Sequence, residues 1–206
     1  MKSRILKFLH DADDILSGEQ MSVLLGVSRV SVWKHIHSLQ AAGYPIESTP
    51  KGYRLTDRPD VLQPWGFPGR EDRIHCHRAV DSTMAIARQL ARDGCPEFTV
   101  VTADRQTQGR GRLGRVWHSG LGGLYFTIVL RPALPAQLSS LTTFAAGLTW
   151  ARFLKEAYGI DSGLKWPNDL LVGERKLSGM LSEMEAQGEM VTFVNIGIGL
   201  NVNNDP

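Results

Sequence analysis

Gly109-Arg110-Gly111-Arg112-Leu113-Gly114-Arg115-Val116-Trp117 is the stretch on which the reading of the fold turns. Its glycines stand at 109, 111 and 114, the G-x-G-x-x-G spacing of a dinucleotide-binding loop. That fingerprint needs a helix opening directly behind the loop, with its N-terminus on the pyrophosphate. Here Val116-Trp117-His118-Ser119-Gly120 leads through more glycine into an apolar strand. The spacing is therefore not read as a doubly wound nucleotide fold, and no GxxxxGK[ST] phosphate loop occurs either. Arginine-glycine loops that bind nucleic acid are repetitive and flanked by disorder, whereas this one lies between apolar strands. What remains is a loop of bare donors that folds over a small anion. Glycine lets backbone approach a ligand closely, and arginine offers a planar fork for carboxylate or phosphate. No Asp or Glu occurs between Arg105 and Lys155, while Arg105, Arg110, Arg112, Arg115, Arg131, Arg152 and Lys155 all fall there. The zone reads as an anion site.

Outward from the loop, short strands alternate with two helices. A strand is expected over 74–80. Asp81-Ser82-Thr83 then caps a helix running to about Asp93, and 98–103 reads as a buried strand. Beyond the loop come a strand over 124–130, a long apolar helix over 139–158, a short strand over 164–166, and an antiparallel meander over 169–172, 176–184 and 190–197. This pattern predicts an α+β domain with a mixed, mainly antiparallel sheet. Three features point at a ligand. Ser82 and Thr83 stand at a helix N-terminus, where free N–H groups hold polar ligands as well as caps. Lys165-Trp166-Pro167-Asn168-Asp169 sets a lysine before a rigid turn; the bland alternative is a salt-bridged strand lysine. Gly197 and Gly199 face one way along a strand and leave a bare wall for a flat ligand.

The first 58 residues read differently. Ser17 and Gln20 frame a capping box, Gly26-Val27-Ser28 is a tight turn, and Val32, Ile36 and Leu39 follow at helical spacing. The outer face of that second helix is polar and basic, the sequence form of a helix-turn-helix. Tyr44–Ser48 and Tyr53–Leu55 pair around Pro50-Lys51-Gly52 as a wing. A winged helix-turn-helix is expected over 1–58, with a small helical bundle as the alternative. Arg29, Ser31 and His35 would face base edges, and Lys34, Lys51 and Arg54 phosphate. Pro59, Pro64, Gly66, Pro68 and Gly69 mark 59–72 as a linker, which leaves 73–206 as the second domain.

Composition bounds the class. With 42% hydrophobic and 21% charged residues the 206-residue chain is globular, and a net charge of +2 gives no global argument for nucleic acid. Two cysteines, Cys76 and Cys95, build neither a disulfide framework nor a cysteine zinc site. No signal peptide and no membrane-length apolar run is present, so a cytoplasmic protein is expected.

The ordered set D-S-T, Q-x-x-G-R-G-R-x-G-R-x-W, K-W-P-N-D, K-L-x-G-x-L-x-E and G-x-G-x-N strongly resembles the biotin protein ligases. With a winged helix in front, the chain is similar to the bifunctional type, biotin–[acetyl-CoA-carboxylase] ligase and biotin operon repressor in one. The resemblance implies a fold shared with class II aminoacyl-tRNA synthetases and lipoate ligases. It also implies biotin and ATP as substrates with Mg2+, and biotinyl-5′-AMP as the intermediate. The partners implied are the biotin carboxyl carrier protein of acetyl-CoA carboxylase, operator DNA and a second copy in a ligand-promoted homodimer, with no membrane. It assigns Ser82, Thr83, Met84, Gln106, Gly109, Arg110, Gly111, Arg112, Lys165, Gly197 and Asn201 to biotin. Arg112, Arg115, Trp117, Lys165 and Asn201 fall to ATP, and Lys165 and Arg112 are the expected catalytic residues. Two departures stand out. Met84 occupies a position where the family often has Asn. The resemblance also implies more catalytic domain and a small SH3-like domain beyond Pro206, so the second domain reads as truncated. The alternatives are an adenylate-gated DNA-binding regulator without transferase activity and a lipoate ligase.

Overall fold

The Ser17 hydroxyl accepts from the Gln20 N–H at 3.1 Å, and the Gln20 side chain accepts from the Ser17 N–H at 2.9 Å. This reciprocal pair satisfies two otherwise orphaned donors and starts a helix where the sequence places one. The structure, a computed structural model, describes residues 1–12, 14–57 and 60–204. Asp13 of the acidic loop, Arg58 and Pro59 at the expected boundary, and Asp205 and Pro206 at the end lie outside the described residues. The chain divides into two units, Met1–Asp72 and Arg73–Pro206.

In the first unit, α1 (Lys2–Asp11), α2 (Gly18–Leu25) and α3 (Arg29–Ala41) are followed by β1 (Ile46–Thr49) and β2 (Gly52–Leu55). Gly26 ends α2 in the left-handed region at φ 69°, and the Ser28 hydroxyl caps α3 by accepting from the Ser31 N–H. Ile5, Leu9, Met21, Leu25, Val32, Ile36 and Leu39 bury one face of each helix in a common core. β1 and β2 form the antiparallel wing, and Leu16 bridges Tyr53 on its far side. Gly52 is obligatory there, because a Cβ at its φ of 147° would fall 2.2 Å from the Leu16 carbonyl oxygen. Gly52→Ala is expected to cost about 2–3 kcal/mol of this unit's stability through forced backbone shift. A thermal melt followed by helix circular dichroism checks it.

Residues 60–72 behave otherwise than the linker expected for 59–72. Val61 and Trp65 pack against the first unit's core, and Lys2 Nζ lies 3.9 Å above the Trp65 ring. The Glu71 carboxylate accepts from the Ser3 hydroxyl and from the Gly69 N–H. Those bonds, the serine's above all, hold Glu71 below the ordinary carboxyl range. Proline and glycine punctuate this stretch, but its large apolar side chains are what dock it.

The second unit is a seven-stranded sheet in the order β3-β4-β5-β9-β8-β7-β6. Its strands are β3 (Ile74–His77), β4 (Val100–Ala103), β5 (Leu124–Leu130), β6 (Gly163–Lys165), β7 (Asp169–Val172), β8 (Arg175–Gln187) and β9 (Met190–Leu200). Only β3 and β4 pair in parallel; every other neighbour is antiparallel. Its helices are α4 (Thr83–Arg92) and α5 (Ser140–Tyr158). Alternation along the central strands sorts them. Val129 and Phe193 pack with Ala87 and Ala91 of α4, whereas Val194, Ile196 and Ile198 pack with Leu154 of α5. The odd positions of β9 therefore share the α4 face, and Gly197 and Gly199 lie on it. Arg131 clamps the end of α4, donating to the Cys95 and Ala91 carbonyls.

Candidate functional site

Glycine and threonine on the α4 face of the sheet leave room that larger residues would fill. The result is a cavity of about 580 Å³ in the second unit. Ser82, Thr83, Met84, Gln106, Arg110, Gly111, Arg112, Arg115, Trp117, Lys165 and Gly197 all line it, together with Lys176, Asp169 and Thr127. Two expected residues, Gly109 and Asn201, do not. Gly109 sits behind the wall, where a Cβ would fall 2.3 Å from the Trp117 carbonyl oxygen. The Asn201 side chain donates to the Lys176 carbonyl and accepts from Asn204. It supports the backbone that carries Lys176.

The arginine loop is itself folded. Arg110 pairs with Val116 as an antiparallel bridge, the Gly111 N–H reaches the Arg115 carbonyl at 2.8 Å, and the Trp117 N–H reaches Gly109 at 2.9 Å. Leu113 and Gly114 turn the tip at φ 56° and 72°. Arg112 Nη1 donates to Asn168 Oδ1 at 3.3 Å. Asn168 is held in turn through its Nδ2 to the Met180 carbonyl at 2.7 Å. The wider acid-free zone does not act as one site. Arg131 is committed to backbone carbonyls, Lys155 pairs with Asp161, and only Arg110, Arg112 and Arg115 of that zone face the cavity.

The glycine wall is not bare. A Cβ on Gly199 would fall 2.4 Å from the Trp117 indole, and one on Gly179 would fall 2.7 Å from it. These glycines are cross-strand partners, so the indole lies across both. Met84 covers Gly197 in the same way. Lys176 Nζ stands 5.0 Å over the Trp117 ring and 2.8 Å from Asp169 Oδ1. This lysine escaped attention as a site residue, although it opens the K-L-x-G segment of β8. The K-L-x-G-x-L-x-E motif contains it without giving it a role, and its partners come from two other segments. Lys165, on the edge strand β6, is exposed as Lys176 is, and both line the cavity.

At the other end of the cavity, α4 begins without the expected serine cap. Ser82 makes no capping bond. Instead the Thr83 N–H donates to Gln106 Oε1 at 2.8 Å, and the Thr83 hydroxyl donates to the same oxygen at 3.0 Å. Thr127 meets that hydroxyl at 2.9 Å. The Ser82 hydroxyl is left for a ligand.

In the first unit, Arg29 and Lys34 are exposed on α3, while Ser31 and His35 are half-buried. Arg29 Nε lies 3.6 Å from Glu19 and Arg54 Nε 2.6 Å from Glu47. Lys51 stands exposed at the wing tip. Val30 and Trp33 are 62% and 50% exposed on the same helix, and helical periodicity alone did not mark either as a surface residue.

A family model described as the biotin/lipoate A/B protein ligase family matches residues 77–203, and one described as an HTH domain matches residues 2–54. The chain is 40% identical over 213 residues to the bifunctional ligase/repressor BirA of Bacillus subtilis (strain 168), covering 100% of this chain and 66% of the relative. It is 32% identical over 199 residues to the protein of that name from Escherichia coli (strain K12), covering 90% and 59% respectively. It thus spans less than two thirds of these relatives' length. The biotin protein ligase of Leishmania major in complex with biotinyl-5-AMP superposes with a TM-score of 0.56 at 31% identity, over 65% of this chain and 59% of that one. That of Aquifex aeolicus in complex with biotin and ATP gives 0.53 at 36% identity, over 65% and 55%. With family models matching residues of both units, and the first of them covering more than half of the sequence, the chain belongs to the biotin/lipoate A/B protein ligase family.

Proposed function

We propose that this chain activates biotin with MgATP and transfers it to a lysine of the biotin carboxyl carrier protein of acetyl-CoA carboxylase, and that it is also a biotin-dependent repressor. The observation that carries this reading is the cavity itself. It sets Ser82 and Thr83 at one end, three arginines above, and Lys176 over Trp117 on a glycine floor. In the first step a biotin carboxylate oxygen attacks the α-phosphorus of ATP, and the bond to pyrophosphate breaks. Both reactants are anions, so the donors around them must strengthen as charge shifts in the transition state. In the second step the carrier's lysine amine attacks the acyl carbon, AMP departs and the amine loses a proton.

Lys176 is the cation assigned here to the carboxylate and α-phosphate. Its support is its place over the floor of the cavity, whereas Lys165, the residue the sequence suggested, is assigned to the cavity rim. Arg110, Arg112 and Arg115 close over the adenylate, with Ser82 and Thr83 on the biotin head group and Gly197 beneath its rings. Magnesium enters as MgATP; Asp169 is the carboxylate beside Lys176 that would take it. Among the described residues no group of three metal-ligating side chains forms a cage.

Arg112→Gly should release the adenylate about ten to a hundred times faster, since a charge-assisted hydrogen bond is lost. Biotin labelling of bystander lysines reads this, and retention equal to the parent chain would refute it. The whole reading is tested by mass spectrometry of the purified chain with biotin and MgATP, with and without a carrier domain. A carrier gaining one biotin supports the ligase. Adenylate without carrier labelling supports the regulator alone, and competition of biotin by lipoate in the same assay would shift the substrate. For DNA, α3 and the wing would meet two half-sites through Arg29, Ser31, Lys34, His35, Lys51 and Arg54 of a ligand-promoted dimer. A footprint indifferent to biotin and ATP would count against the coupling. No helix among the described residues is long and apolar enough to cross a membrane, and a cytoplasmic place is proposed.

A further inference from the structure

The Ser119 hydroxyl stands at a junction that the proposed reaction does not use directly. Ser119 is 7% exposed. Its Oγ accepts from Gln106 Nε2 at 2.9 Å and donates to the Trp117 carbonyl at 3.1 Å. On one side the Gln106 amide continues through Thr83 to Thr127. On the other, Trp117 closes the base of the arginine loop through Gly109. Gly109 lies so close that a Cβ there would fall 2.6 Å from Ser119 Oγ. A single buried hydroxyl therefore joins the start of α4, where the head group is assigned, to the stem of the loop that carries the arginines.

We propose that Ser119 is a positioning residue that couples occupation of the head-group end of the cavity to the order of the arginine loop. The Thr83 N–H and Ser119 Oγ together fix which way the Gln106 amide points, because one is a donor and the other accepts from the amide nitrogen. A polar head group seated against Thr83 and Gln106 restrains that amide. The restraint passes to Ser119, to the Trp117 carbonyl and so to the stem between Gly109 and Trp117. The chain of bonds is short and at least partly buried throughout, where a hydrogen bond is worth more than at the surface. The backbone bond from the Gln106 N–H to the Ser119 carbonyl does not depend on the hydroxyl. Its removal therefore uncouples the two ends without dissolving the strand contact.

This inference rests on the biotin reading, and the experiment separates the two. Biotin is titrated calorimetrically into the parent chain, Ser119→Ala and Ser119→Cys, which keeps the volume but bonds weakly. Each protein is also treated with trypsin, which cleaves after Arg110, Arg112 and Arg115, without biotin and at saturating biotin. The parent chain should bind biotin and gain protection in the loop. Ser119→Ala should still bind, about tenfold more weakly. At saturation it should lose most of the biotin-dependent protection while its melting midpoint stays near the parent's. Ser119→Cys should fall between them, and it carries the test if the alanine variant does not fold. Protection equal to the parent's at saturating biotin in either folded variant overturns the proposal, whatever the affinity. A parent chain that binds no biotin overturns the functional reading instead.

Discussion

Lys176→Ala is expected to slow adenylate formation by a factor of about a hundred to a thousand, the effect of removing one preorganised donor from developing negative charge. The folded state should survive at some cost, because Lys176 is exposed while the Asp169 side chain it pairs with is only 23% exposed and loses its cation. Biotin affinity should fall far less than the rate, since the lysine acts on charge that grows as the phosphorus is attacked. Lys176→Arg should rescue little: a guanidinium is broader than an ammonium, and Trp117 and Gly179 leave a narrow slot. Pyrophosphate exchange measures the rate, and calorimetry with biotin alone measures the affinity. Lys165→Ala is the companion variant. A larger loss of exchange there than in Lys176→Ala would return the catalytic role to the exposed edge strand.

The second large effect is expected from a methyl group. Gly199→Ala places a carbon 2.4 Å from the Trp117 indole and leaves the ring no room on the sheet. Gly179→Ala acts on the far side of the same ring, at 2.7 Å. Either substitution should lift Trp117 and, with it, the surface above which Lys176 stands. Exchange should drop by at least a hundredfold, in line with what misplacement of a catalytic group costs. Tryptophan fluorescence should report a more solvated indole. Gly197→Ala is the control, because its obstacle is the flexible end of Met84 and a thioether yields more readily than an indole. It should raise the biotin KM with a smaller effect on kcat. Equal losses in all three variants would mean that the sheet itself had been disturbed.

Local chemistry made much of this architecture readable in advance. The Ser17–Gln20 box, the left-handed turn at Gly26, the strand over 124–130 and the glycines of β9 each follow from residues a few positions apart. What escaped reading depends on partners far along the chain. The Gly199 wall is covered by Trp117, which lies more than eighty positions earlier. Thr83 is capped by Gln106 rather than by its neighbour Ser82 because a bridge sets Gln106 against Val80. Trp65 turned an expected linker into part of a core. The Lys165 assignment followed a conspicuous pentapeptide, whereas Lys176 opens a motif whose spacing names no role for it, and its place over Trp117 depends on a residue some sixty positions earlier.

The hairpin form of the arginine loop has a kinetic consequence. Ordering one residue's backbone costs about 1–2 kcal/mol, so a nine-residue loop that condensed only around its ligand would surrender much of the binding energy it supplies. Here the stem from Gly109 to Trp117 is already laced by backbone bonds, and the tip is turned by Leu113 and Gly114. A ligand then meets a folded hairpin in place of a random coil, so less of the energy of the arginine contacts is lost to ordering the loop and more remains for residence time. For the acyl adenylate proposed above, which water would destroy, a long stay under that hairpin would let the activated group wait for the lysine that takes it.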